Sequence, residues 1–278
     1  MYDPASTARG FSGVADSFSI QSAFLNPACI NSPRSGLYFS HFELYKGFIS
    51  MENVFVKFNP GNPDYSTGIY VSYLHSDPLE ITQLRDSALG IIEGNIEVTG
   101  KYIYKFYFVS GTIGRKISEK ASFGVNIKFF RERFYTYYEN GTGIDIGYLI
   151  ALKDINFGIT LRDAIFSFFT GKSSETASPS LNFGITKFTQ NFSWNLESEL
   201  FSDGPYPGAL LNAGKLSLEV KMGAEYRPTE NLALRAGFYR GYFNGGVGLR
   251  LRQFFVDYSI SPNPELYTTH KIGAGICF

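Results

Sequence analysis

The sequence predicts an all-β protein, a 14-stranded antiparallel transmembrane β-barrel over residues 36–278, preceded by a segment, residues 1–35, that stays out of the sheet. Three observations predict it. Apolar residues alternate with small or polar ones in strand-sized stretches along almost the whole chain. Connections are mostly short after even-numbered stretches and often long after odd-numbered ones. The last stretch, 268–278, has one wholly apolar face and ends on an aromatic residue.

Composition fits this class and excludes others. Of the 278 residues 17% are aromatic and only 18% charged, and the formal net charge is zero. Charged residues usually make up about a quarter of a soluble chain. A zero balance gives no electrostatic case for nucleic acid or for an anionic surface. No apolar run approaches the roughly 18 residues a transmembrane helix needs. Residues 1–20 lack a basic start and an apolar core, so an export signal is expected to have been removed.

Residues 1–35 are rich in small residues and never alternate for long. Asp16 is placed to cap a short helix over 17–25, which Pro27 then stops. From Gly36 onward the expected strands are 36–45, 48–58, 66–75, 107–117, 120–133, 142–152 and 154–163 in the first half. The second half adds 180–188, 191–201, 215–226, 231–240, 243–251, 253–261 and 268–278. In the clearest, Leu216, Leu218, Val220, Met222, Ala224 and Tyr226 share one face, against Ser217, Glu219, Lys221, Gly223 and Glu225 on the other. Phe123, Val125, Ile127 and Phe129 repeat the pattern, as do Ile155, Phe157, Ile159 and Leu161. Such alternation, weak in one strand and strong in sum, is what a barrel in lipid requires. The long connections, 76–106, 164–179 and 202–214, belong on the outside of the membrane and the short turns on the periplasmic side.

The inward face is expected to carry both signs of charge: Lys57, Lys116, Lys128, Asp145, Arg162, Glu197, Glu199, Glu219, Lys221, Glu225, Arg235, Arg250, Arg252, Asp257 and Lys271. Two readings stay open, a solute pathway or a lumen filled by cross-strand ion pairs. Enzyme chemistry finds no support. His41, His75 and His270 are scattered, with no nucleophile at telling spacing. The stretch 94–101 has one residue too many for a phosphate loop, and Tyr102 where Ser or Thr belongs. Calcium-type spacing is absent, and two cysteines are too few for zinc, so no metal and no cofactor are expected.

Several stretches in order resemble the PorV/PorQ-like outer-membrane proteins, a family distantly similar to the FadL long-chain fatty-acid transporters. They are STARGFSGVADSFSIQSAFLNPACI near the start, ASFGVNIKFFRERFYTYYENGTGIDIGYLI in the middle, and ENLALRAGFYRG, GGVGLRLRQFFVDYSISP and THKIGAGICF at the end. The resemblance implies a monomeric 14-stranded barrel in a bacterial outer membrane, with residues 1–35 folded into the lumen as a plug. It implies a plugged, FadL-like channel for hydrophobic small molecules. The alternative is a PorV/PorQ-like part of a type IX-like secretion or surface-attachment system, which would bind a secreted protein's C-terminal domain. Asn26, Pro27 and Ala28 then read either as a hatch hinge or as a simple helix stop. Phe18, Ile20, Phe24 and Leu25 either line a hydrophobic pocket or pack the plug on the wall. The barrel-assembly machinery is expected to read the last strand through Phe278. Closure makes the first and last strands neighbours, so Cys29 and Cys277 are either a disulfide pinning plug to seam or two free thiols. A bond needs Cα atoms within about 7 Å, in a compartment that permits oxidation.

Overall fold

A computed structural model of the chain describes residues 3–17, 19–31, 34–85, 91, 95–170, 173–202, 204–205, 208–263 and 267–278. Fourteen strands form the barrel: β1 Gly36–Leu44, β2 Ile49–Phe58, β3 Tyr65–Ser76, β4 Lys105–Lys116, β5 Ala121–Phe134, β6 Tyr137–Ala151 and β7 Ile155–Thr170. The rest are β8 Ser180–Phe188, β9 Phe192–Phe201, β10 Leu216–Thr229, β11 Leu232–Tyr239, β12 Tyr242–Leu251, β13 Phe254–Ser261 and β14 Thr269–Cys277. Each pairs antiparallel with its neighbours in sequence, and β1 pairs with β14 from Gly36↔Cys277 to Glu43↔His270, which closes the sheet. Closure leaves no strand edge unpaired, the condition for a sheet surrounded by lipid.

The period of two survives in three dimensions. Ile69, Ile113, Ile127, Phe157, Met222 and Ile272 point outward and are exposed. The residues between them are buried and small or polar, as with Ser110, Asn126, Thr160, Ser217 and Lys221. All 14 expected strands are present. β6 begins five residues earlier than expected, because β5 and β6 continue through the tight turn Tyr135–Thr136. β7 runs on to Thr170 past a bulge at which Asp163, at φ 53°, lies opposite Asp145 in the register shift between Ile144 and Ile146. A bulge absorbs extra residues without ending the ladder, so the strand does not end at Asp163 as expected but takes in residues 164–170 of the expected connection. Within 76–106 a separate hairpin, Leu79–Leu84 with Ile96–Tyr102, stands off the barrel. Both its faces are largely exposed, which explains the lack of a clear alternating signal.

Residues 3–31 lie against the inward face of the sheet. Helix α1, Pro4–Ala8, packs on β11 to β14, and the 3₁₀ turn Pro27–Asn31 packs on β3 to β6. The helix expected over 17–25 is replaced by one 3₁₀ turn, Ile20–Phe24, capped by Ser19 and not by Asp16. Asp3 is the helix cap, accepting from the backbone N–H of Ala5 and Ser6 at 2.8 and 3.1 Å. Asp16 instead meets Arg9 Nη2 at 2.7 Å, both side chains buried. Pro27 opens its turn, where its missing N–H costs nothing, and does not stop a helix.

Candidate functional site: the two walls of the lumen

The inward segment is seated on glycines. Gly114, Gly124 and Gly147 are direct partners across β4, β5 and β6. A Cβ on Gly124 would overlap the Pro27 carbonyl, and one on Gly147 would overlap Asn26. On the opposite side Gly223 faces Gly237 across β10 and β11, and Arg9 and Gly10 fill the space a Cβ there would take. Asn26 ties the segment down further, donating from Nδ2 to the carbonyls of Val14 at 2.8 Å and Tyr148 at 3.1 Å. Its Oδ1 accepts from Ala28 N at 3.0 Å.

One wall, centred on β9 to β11 and reaching Asp257 of β13, is ionic. Glu197 Oε2 accepts from the successive backbone N–H groups of Gly13 and Val14, at 3.0 and 3.1 Å. Lys221 Nζ bridges Glu197 at 3.2 Å and Glu199 at 2.5 Å, and Arg162 reaches Glu199 at 3.7 Å. Glu219 accepts from Tyr239 Oη at 2.8 Å and meets Arg240 at 2.5 Å. Arg235 lies 2.6 Å from both Glu225 and Asp257. On β14, Lys271 Nζ donates to Thr7 Oγ1 at 2.8 Å. Most of the charges expected to face the lumen therefore meet an opposite charge or the N-terminal segment. Three are exposed instead. Lys116 and Arg250 line the mouth of a cavity of about 700 Å³ beneath the segment at the short-turn end. Arg252 is in the β12–β13 turn at φ 56°, exposed and outside the strand face on which the alternation placed it.

The other wall, on β3 to β7 toward the long-loop end, is aromatic around one ion cluster, in which Lys128 Nζ lies 2.6 Å from Asp145, also meets Asp163, and stands 5.6 Å over the Phe166 ring. Phe130 stacks on Phe106 at 5.7 Å and on Phe166 at 5.3 Å between centroids, and meets Phe168 edge-on at 5.0 Å. Gly141 and Gly143 of β6 leave room for the Phe130 and Phe166 rings, which a Cβ would strike. Phe108, the next inward residue of β4, meets Tyr70 at 5.7 Å. Tyr70 meets Phe24 of the N-terminal segment at 4.2 Å, and Phe24 meets Phe55 at 4.7 Å. An aromatic strip thus descends from the long-loop end to the segment. Of the residues expected to line an apolar pocket, Phe24 ends this strip and Ile20 joins the buried cluster with Tyr38, Phe55, Tyr70 and Phe255. Leu25 is buried within the segment itself, against Gly13, and Phe18 lies outside the described residues.

Phe106, Phe130, Phe166 and Phe168 escaped a reading that sought charge on the inward face. A signal existed: where two aromatics are adjacent, as at Phe129–Phe130, one must face in. The two cysteines are free in this structure and pack in different clusters. Cys29 packs with Ala15, Ala28 and Leu149, and its Sγ–H donates to the Val14 carbonyl at 3.6 Å. Cys277 packs against the separate cluster that holds Tyr38 and Phe255. Burial, with Asp16 and Glu197 near, pushes the Cys29 thiol well up. The histidines all lie on the outward face: His41 is 3.3 Å from Glu52, His75 3.9 Å from Glu52, and His270 2.7 Å from Tyr258 Oη. Phe278 is exposed beyond β14, its N–H donating to the Ser35 carbonyl at 3.0 Å.

No family model matches the chain, and no curated protein does. Solved structures do. The toluene transporter TbuX of Ralstonia pickettii aligns with a TM-score of 0.66 at 12% identity, over 99% of this chain and 97% of that one. The toluene transporter TodX of Pseudomonas putida gives 0.63 at 12%, over 99% and 97%. A FadL homologue of Pseudomonas aeruginosa gives 0.59 at 11%, again over 99% and 97%. The chain has the fold of the FadL-type barrels. At these identities the likeness is one of fold, and it lends nothing to the PorV/PorQ resemblance.

Proposed function

We propose that this chain is an outer-membrane channel for the passive passage of hydrophobic small molecules, with residues 1–35 acting as its plug. The observation that carries the reading is the aromatic strip from Phe168 and Phe166 through Phe130 and Phe106 to Phe108, Tyr70 and Phe24. Such a strip offers an apolar solute a run of ring contacts, and the cation beside it, Lys128 over Phe166, is already paired with Asp145 and Asp163. The exposed apolar belt supports placement in lipid, and the long connections at one end support an outer membrane. TbuX and TodX are toluene transporters, which favours substrates about the size of one aromatic ring. The secretion-component alternative draws on the PorV/PorQ likeness alone.

Radiolabelled toluene uptake by cells displaying the chain in their outer membrane tests the channel. Uptake above that of vector-only cells is expected, and equal rates overturn the reading. Deleting residues 1–35 tests the plug separately. Conductance in planar bilayers should rise, since every barrel strand begins at Gly36 or later. An unchanged conductance refutes the plug.

A further inference from the structure

The chain's zero net charge hides an uneven outward face. On β4, β5 and β6 the outward residues change character together toward the long-loop end. Along β5 they run Phe123, Val125, Ile127 and Phe129, then Arg131 and Arg133. Along β4, moving the same way, they run Ile113, Gly111 and Val109, then Tyr107 and Lys105. Register sets the polar ends at one level, with Tyr107 opposite Arg131, Lys105 opposite Arg133, and Arg133 opposite Tyr138 of β6. The Arg131 and Arg133 guanidinium groups lie 5.0 and 5.5 Å from the centre of the Tyr138 ring. Lys105 and Arg133 also border a cleft of about 550 Å³, which Lys101 and Tyr102 of the outer hairpin and Tyr135 of the β5–β6 turn complete.

Lys101 pairs with Glu80 at 3.4 Å. Lys105, Arg131 and Arg133 have no ion-pair partner among the described residues. The carboxylates nearest in register, Glu132 and Glu139, are directly opposite each other and alternate to the inward side. Three cations therefore stand where the apolar belt gives way to water, with a cleft beside them and no acid on their face of β4–β6 among the described residues. Arginine forks fit phosphate oxygens, and basic residues at a bilayer surface favour anionic headgroups. Around the rim the contrast is sharp, because the outward face of β1 and β2 carries Glu43 and Glu52 instead.

We propose that the outward rim of β4–β6 is a binding site for a doubly phosphorylated lipid headgroup, its phosphates held by Lys105, Arg131 and Arg133. Its acyl chains would lie along Val109, Ile127 and Phe129 below. This rests on the outer-membrane placement, which is checked first by folding the chain into zwitterionic phosphatidylcholine vesicles. Failure to insert there refutes the placement and the site with it.

The test counts lipid bound to the detergent-solubilised barrel by native mass spectrometry, using diphosphoryl lipid A, its dephosphorylated form and phosphatidylglycerol. Retention of diphosphoryl lipid A above both others is expected. Replacing all three cations (K105Q, R131Q, R133Q) should weaken that retention about a hundredfold, at the usual gain per basic residue near an anionic surface. Removing three exposed cations at the short-turn end (K153Q, K187Q, R252Q) should leave it unchanged. Equal retention of the phosphorylated and dephosphorylated forms by the unmodified chain overturns the site without any variant. So does equal retention of phosphatidylglycerol, or equal loss in the two triple variants.

Discussion

The two walls of this lumen follow one backbone rule and differ in the chemistry that dominates them. Both are antiparallel strands whose alternate residues face in. On β9 to β11 those residues are Glu197, Glu199, Glu219, Lys221 and Arg235, closed into ion pairs and tied to Gly13 and Val14. On β3 to β7 they include Phe106, Phe130, Phe166 and Phe168, with one ion cluster of Lys128, Asp145 and Asp163 beside them. A paired ionic wall is rigid and costly to disturb, since removing one partner strands a buried charge. An aromatic wall loses contacts one ring at a time and offers a neutral solute an equivalent replacement. If the chain is the channel proposed above, the walls take different tasks: the ionic side holds the Gly13–Val14 part of the N-terminal segment, and the aromatic side offers the surface for a hydrophobic solute.

The contrast is broken most directly at Lys221, which is fully buried between two carboxylates. Lys221→Met leaves Glu197 and Glu199 without their shared cation, and should cost about 3–5 kcal/mol in urea unfolding from vesicles. The loss should also loosen Glu197 from the Gly13–Val14 backbone, so conductance should rise with it. Adding Glu197→Gln and Glu199→Gln to the same chain should recover part of the stability. A single variant that unfolds at the unmodified urea concentration would show that this wall is not the anchor.

Phe130→Ala removes the ring common to three of the strip's contacts. Truncating a buried Phe costs about 3–5 kcal/mol, and the low end is expected because Phe106, Phe166 and Phe168 are only half-buried. Toluene uptake should fall while ion conductance stays level, the reverse of the Lys221 outcome. If both variants move both readouts alike, the walls do not divide the work.

How far the sequence carries this contrast depends on which signal each wall left in it. The strands were legible because period two marks lipid-facing residues such as Ile127 and Met222 whatever lies behind them. The ionic wall followed from the same alternation, although Arg252 fell in a turn and Arg250 at a mouth. The aromatic strip did not follow. Phe166 and Phe168 lie beyond the Asp163 bulge, and Phe106 at the edge of a long connection, where alternation gives out. The glycine seat was visible residue by residue, but register alone aligns Gly114, Gly124 and Gly147 into one surface.

That seat offers a finer test of the two sides. Gly124→Ala sets a methyl against the Pro27 carbonyl, and Gly223→Ala sets one against the Arg9 carbonyl. Overpacking of this kind costs about 1–3 kcal/mol. The Arg9 side is also held by the Arg9–Asp16 pair and by Glu197, whereas the Pro27 turn is held mainly by Asn26. Gly124→Ala should therefore raise conductance more than Gly223→Ala, read in the same planar bilayer. Equal rises would mean that the segment moves as one body.

The smallest effect belongs to the cysteines, which sit where the two sides of the segment meet the barrel. A disulfide across the seam would couple them and contribute about 2–4 kcal/mol by closing a long loop. The thiols are instead free and belong to different packed clusters, Cys29 with Leu149 and Cys277 with the Tyr38 and Phe255 group. Dithiothreitol should then leave the unfolding midpoint of the barrel unchanged. Cys277→Ser, at a half-buried inward position, should shift stability by no more than about 0.5 kcal/mol, as a substitution away from a sensitive feature does. Cys29→Ser should cost somewhat more, because its thiol is fully buried and contacts the Val14 carbonyl. A midpoint that falls on reduction, in the unmodified chain but not in Cys277→Ser, would restore the disulfide and tie the segment to the β1–β14 seam.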